Sequence, residues 1–131
     1  MINWQNGVTP INETNMNKLA QNETFAYQTG TITLTSGYFD TVDLNQTVRT
    51  GNLAMITFRG QANTNIPNDG ILGTLPFYVK GNVVISISTA GRYNVGDYKF
   101  AYMVNGNNYI KCNAIEQGKW VEFTVMCMVA E

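Results

Sequence analysis

The sequence predicts a mainly β protein: an antiparallel, jelly-roll-like β-sandwich preceded by a short N-terminal helix. Three observations predict it. From Gly30 onward apolar residues recur with period two, the spacing of a strand with one buried face. Short runs of this kind follow one another at regular intervals, punctuated by Gly and Asn. Before Gly30 the pattern is different and carries the signature of a helix start. At 131 residues the chain has room for one modest core. The expected organisation is an anchor segment with the helix over 1–29 and a head domain over 30–131.

The helix start is built from several parts. Asn12 is an N-cap whose side-chain oxygen accepts from the N–H of Asn15. Ile11, just before the cap, and Met16, four residues into the helix, stand where a hydrophobic staple has its two halves. Glu13 complements the helix dipole in the first turn. Met16, Leu19 and Ala20 then form a short apolar stripe. A capped helix of two or three turns ahead of an all-β body suggests a docking element, with Ile11, Asn12, Met16 and Leu19 as its contact residues.

In the head, Thr31–Thr35 alternates with Ile32 and Leu34 inward, and Leu53–Phe58 reads as a more continuously apolar strand. Gln61–Asp69 is polar, carries Pro67, and is the expected long exposed loop. Val83, Ile85 and Ile87 face one way and Ser86 and Ser88 the other, after a hairpin turn at Gly81-Asn82. Tyr98, Phe100, Tyr102 and Val104 form an aromatic stripe, and Asn105-Gly106 turns the chain back into Tyr109–Cys112. Glu116-Gln117-Gly118 is expected to join the last two strands as a hairpin, which would place Cys112 opposite a residue near Glu122 and about 17 Å from Cys127 at ~3.4 Å per residue. That separation excludes a disulfide, so two free thiols are expected.

The final strand, Trp120–Val129, has one apolar face of Val121, Phe123, Val125, Cys127 and Val129. Its other face holds Trp120, Met126 and Met128, more apolar surface than a solvated face needs. These three are the expected subunit-interface residues.

Charged residues make up 13% of the chain and the net charge is −1, so there is no basic surface for nucleic acid. There is no histidine, which removes the commonest general base and the commonest metal ligand. Cys112 and Cys127 lie in apolar strands with no activating neighbour in sequence. Asp40, Asp43, Asp69, Asp97, Glu116 and Glu122 show no spacing that marks a glycosidase pair. Asn65–Gly70 has oxygen ligands at short spacing, but a plain turn explains it better than a calcium loop. The expectation is a non-enzymatic protein with no cofactor and no metal. No signal peptide precedes the head and the longest apolar run, Val125–Ala130, is too short to span a bilayer, so synthesis in a cytoplasm without membrane insertion is expected. Tyr38, Tyr78 and Tyr93 lie near turns, where rings stack on sugars. Packing at strand ends is the commoner use of such rings, so a glycan contact is the secondary expectation.

The N-terminal residues Asn3-Trp4-Gln5-Asn6-Gly7, Thr9-Pro10-Ile11-Asn12 and Asn15-Met16-Asn17-Lys18-Leu19 together resemble the opening segment of tail, baseplate and fibre proteins of tailed phages and prophages of Gram-positive bacteria. Gly73-Thr74-Leu75-Pro76 and the strands after it look like the head modules at the C-termini of such fibres. In that family the segment opens structural proteins of the virion, and Ala20-Gln21-Asn22-Glu23 departs from the acidic residue that usually follows. The resemblance implies a virion component made in the host cytoplasm: a small tail, baseplate or head fibre subunit. It also implies a homotrimer, contact with other virion proteins through the N-terminal segment, and a host cell-wall glycan as a further partner. The alternative is an autonomous carbohydrate-binding, lectin-like module, which would have no use for that segment.

Overall fold

A computed structural model describes residues 27–89 and 98–130. The helix expected from Ile11, Asn12, Met16 and Leu19, and the turn residue Tyr93, lie outside the described residues. The described chain is mainly β and antiparallel. Its strands are β1 (Gln28–Gly30), β2 (Thr33–Leu34), β3 (Phe39–Thr50), β4 (Leu53–Ala62), β5 (Gly70–Thr74), β6 (Val79–Lys80), β7 (Val83–Ser88), β8 (Tyr98–Met103), β9 (Tyr109–Cys112) and β10 (Trp120–Val129). They form one sheet in the order β1-β3-β4-β10-β7-β8-β9-β5-β2, with β6 also on β10.

The two ends of that order, β1 and β2, are consecutive pieces of one segment. The sheet therefore curls until a single stretch of chain, Gln28–Leu34, closes it. Gly30 pairs with Thr47 on β3, and Leu34 pairs with Gly73 on β5. Continuing the first ladder would set Ile32 opposite Asn45, but there the backbones diverge. The Asn45 side chain spans the gap: its Oδ1 accepts from the Ile32 N–H at 2.8 Å and its Nδ2 donates to the Ile32 carbonyl at 2.9 Å. One primary amide thus replaces both hydrogen bonds of a ladder rung. The Ile32 side chain is buried in the core.

The core fills the inside of the curl. β4 contributes Ala54, Ile56 and Phe58; β10 contributes Val121, Phe123, Cys127 and Val129; Ile85, Ile87, Ala101, Met103, Ile110 and Cys112 complete the opposite wall. Phe58 is the central ring, edge-on to Phe39 at 5.1 Å and tilted against Phe123 at 5.9 Å between centroids.

Four expectations change in detail. The strand over Leu53–Phe58 alternates rather than burying throughout: Ala54, Ile56 and Phe58 point in, Leu53 and Met55 point out. Gly81-Asn82 is no hairpin turn, because β6 and β7 both pair with β10 and are one interrupted strand. At Asn105-Gly106 only Gly106 has positive φ (84°), and the turn closes with the Asn107 N–H donating to the Val104 carbonyl. Gln61–Asp69 is only partly a loop, since β4 runs to Ala62 and buried Ile66 bridges to Ile115.

The expected hairpin at Glu116-Gln117-Gly118 is also corrected. The turn forms, with the Lys119 N–H donating to the Glu116 carbonyl and Gly118 at φ 89°. β10 then leaves β9 and inserts between β4 and β7. Length decides this: β10 and β4 are each ten residues and pair from Trp120↔Gln61 to Met128↔Leu53, whereas β9 has four. Cys112 accordingly lies beside Gly70 and Ala101, and Cys127 beside Ala54; both thiols are free and buried.

Candidate functional site

The outer face of β4 and β10 gathers the side chains singled out in the last strand. Alternation sends Trp120, Glu122, Thr124, Met126 and Met128 outward, opposite Gln61, Arg59, Thr57, Met55 and Leu53 respectively. Two different clusters result. At one end Met126 faces Met55 and Met128 faces Leu53, and all four are exposed. At the other, Arg59 is buried to 7% exposure and holds three partners. Its Nη1 donates to Asp43 Oδ2 at 3.1 Å, its Nε lies 3.7 Å from Glu122 Oε1, and its guanidinium carbon stands 3.9 Å from the centre of the Trp120 ring. Cation–π stacking and charge therefore occupy Trp120 locally. Six residues along the strand, roughly 20 Å, separate it from Met126.

Trp120, Met126 and Met128 thus share a face as the sequence implies, but Trp120 belongs to the arginine cluster and the methionines to an apolar one. Leu53 and Met55 complete the apolar cluster and were hidden inside what reads as a continuous apolar run. Their signal was parity: they sit one residue out of step with Ala54, Ile56 and Phe58. Arg59 also has a signal, as a lone cation in an apolar strand, which needs a partner when buried.

Tyr38 and Tyr78, the described tyrosines of the expected glycan contact, do not converge. The half-buried Tyr38 holds the strand end through its carbonyl, which accepts from Asn63. The exposed Tyr78 does the same for Ala130 at the far end of β10, roughly 30 Å away by strand length. Concave space exists elsewhere: a cavity of about 230 Å³ lined by Thr89, Lys99, Ile115, Glu116 and Lys119, and a broader groove of about 530 Å³ along Asn65–Pro67 and Ala114–Gln117. Among the described lining residues each has one carboxylate, Glu116.

In the Asn65–Gly70 turn the oxygens are turned toward proton donors. Asn65 Oδ1 accepts from the Gln117 N–H, the Pro67 carbonyl from the Gly70 N–H, and Asp69 from the Tyr102 hydroxyl. The bond to Asp69 is the main reason that the Tyr102 hydroxyl is pushed up to about 12. Asp43 and Glu122 both contact Arg59, which fills the space between them. Among the described residues no three Cys, Asp or Glu side chains group as metal ligands do.

The thiols are shifted the wrong way for nucleophiles. Burial, helped by the charge of Asp69, pushes Cys112 up to about 12, and burial raises Cys127 as well. Denatured, unreduced protein should titrate two free thiols, while the native protein at pH 8 should react slowly with the same reagent. Above pH 9 the unfolded chain releases the Cys112 proton and the folded chain keeps it. Stability should therefore fall as pH rises from about 9 toward 12, and less so in Cys112→Ala. Prompt reaction of the native thiols at pH 8 would show that the core is open at these strands.

Comparisons of the chain with protein-family models, with curated proteins and with solved structures found no match.

Proposed function

We propose that this protein is a non-enzymatic structural subunit of a tailed-phage virion, a small tail, baseplate or head fibre protein that works as a homotrimer with a role in attachment to the host surface. In this reading the curled sheet is the sandwich-like, jelly-roll-like head. The N-terminal segment, through Ile11, Asn12, Met16 and Leu19, docks it to other virion proteins. The observation that carries the reading is the outward quartet Leu53, Met55, Met126 and Met128, which a monomer in water gains nothing from exposing. The resemblance of residues 3–19 supplies the setting. The lectin-like alternative is disfavoured by the distance between Tyr38 and Tyr78, which leaves no shared platform of those rings for a sugar.

Two measurements test this. Light scattering at micromolar concentration should give a mass near three times 14.6 kDa; a monomer would remove the assembly argument. Deleting residues 1–24 should leave a head with nearly unchanged melting temperature that is absent from assembled particles. The closing segment Gln28–Leu34 survives that truncation intact. A large drop in melting temperature would mean that the N-terminal segment belongs to the head's own core, and the docking role would fall.

A further inference from the structure

The outer face carries a second exposed apolar patch, and its chemistry differs from the first. On β8, Tyr98 and Phe100 are 52% and 53% exposed, and Val84 on β7 is 73% exposed. The pairings Ser86↔Phe100 and Val84↔Tyr102 set these side chains side by side. The first patch is aliphatic and sulfur-rich, with Met126 57% and Met128 48% exposed beside Leu53 and Met55. β10 and β7 are neighbours, so the two patches occupy adjoining flanks of the curl that meet at the β10–β7 seam.

We propose that a second copy of this chain docks head to tail, the methionine flank of one copy against the aromatic flank of the next. The proposal rests on the assembly reading above and specifies its mode. One argument favours it over like-on-like contact, and two more show that it is sufficient in area and compatible with closure. Methionine is unbranched and polarisable and packs its sulfur against aromatic rings, a contact that methionine on methionine does not offer. The area is sufficient. At about 200 Å² per large side chain, the exposed fractions leave roughly 360 Å² of surface on each flank. Two apposed flanks then bury about 720 Å². With apolar atoms at ~60% of an interface, the total is about 1,200 Å², at the lower edge of the range of stable complexes. Finally, a subunit with two different complementary flanks forms heterologous contacts, the kind that close into rings.

The mode makes a prediction that like-on-like contact does not. One variant, Met126→Glu with Met128→Glu, loses the methionine flank; another, Phe100→Glu with Val84→Glu, loses the aromatic flank. At a concentration where the unmodified protein is assembled, each variant alone should be monomeric. Their equimolar mixture should form a 1:1 dimer of twice the monomer mass and grow no further. If either variant alone still associates, or the mixture stays monomeric, the head-to-tail mode is wrong. If the unmodified protein is itself monomeric, the assembly reading falls and this proposal with it. Single cysteines give an independent readout that adds no charge: Met126→Cys and Phe100→Cys should form a disulfide with each other under mild oxidation and not with themselves. Self-linking of either one would overturn the proposal.

Discussion

Gly73→Ala should lower the melting temperature by about 10 °C and release the Gln28–Leu34 segment from β5. A Cβ at this position would stand 2.6 Å from Ile32 Cγ2, 2.6 Å from the Thr33 carbonyl oxygen and 3.1 Å from Leu34 Cα. The side chain could rotate, but the carbonyl and the Cα are backbone, so the closing segment itself must move. Overpacking of this kind costs about 1–3 kcal/mol, occasionally more, and each kcal/mol is worth ~4 °C in a domain of this size. The location of the damage is the sharper readout. Amide exchange should quicken at Thr33 and Leu34 and hardly change in the β4–β10 ladder. An unchanged melting temperature with protected Leu34 would show that β2 does not seat against β5 as described.

Phe58→Ala should have a still larger effect, about 3–5 kcal/mol or roughly 15 °C. Phe58 is 1% exposed and its ring is held between Phe39 and Phe123. The ring also lies over Gly60, where a Cβ would meet it at 2.9 Å. Ile56 and Val121, both fully buried, belong to the same core around it. Phe58→Leu should recover about half of the loss. A melting temperature within a few degrees of the unmodified protein would mean that the three rings are not the centre of the core.

The strands that alternate apolar with polar were legible in the sequence. Val83–Ser88, Tyr109–Cys112 and Trp120–Val129 appear where the spacing puts them. β3 was not, and the reason is physical. Its inward side carries Asn45, Thr47 and Arg49, opposite Phe58, Ile56 and Ala54, while Leu44 and Val48 point outward. The pattern is inverted because Asn45 must meet the backbone of Ile32 rather than a side chain. Irregular register at Phe39/Thr41 and Val42/Leu44 breaks the period further. Strand neighbours were hidden for another reason. A turn such as Glu116–Gly118 reports only that the chain bends, and the partner that β10 then takes depends on length and on residues some sixty positions earlier. Of the candidate site, Met126 and Met128 were readable as a surplus on one face. Leu53 and Met55 were masked by apolar residues on both sides of their own strand, and the stacking of Trp120 on Arg59 needed the β4–β10 register.

The position of β10 also sets the order in which this fold can be made. It is the last of the described strands to leave the ribosome, yet it lies between β4 and β7 near the middle of the sheet. Until it arrives, β3–β4 and β7–β8 can form as local hairpins, and among the described strands they are joined only the long way round, through β9, β5 and the closing segment. The closing segment, the earliest made of the described strands, must likewise wait for β5, about forty residues downstream. Both the joining and the sealing of the sheet are thus non-local events, and the insertion of β10 follows synthesis of almost the whole head. Folding should be slow and nearly all-or-none, with loop-closure entropy as the main barrier. A copy stalled before β10 would show its apolar inner wall to its neighbours at the time when other copies are being made around it.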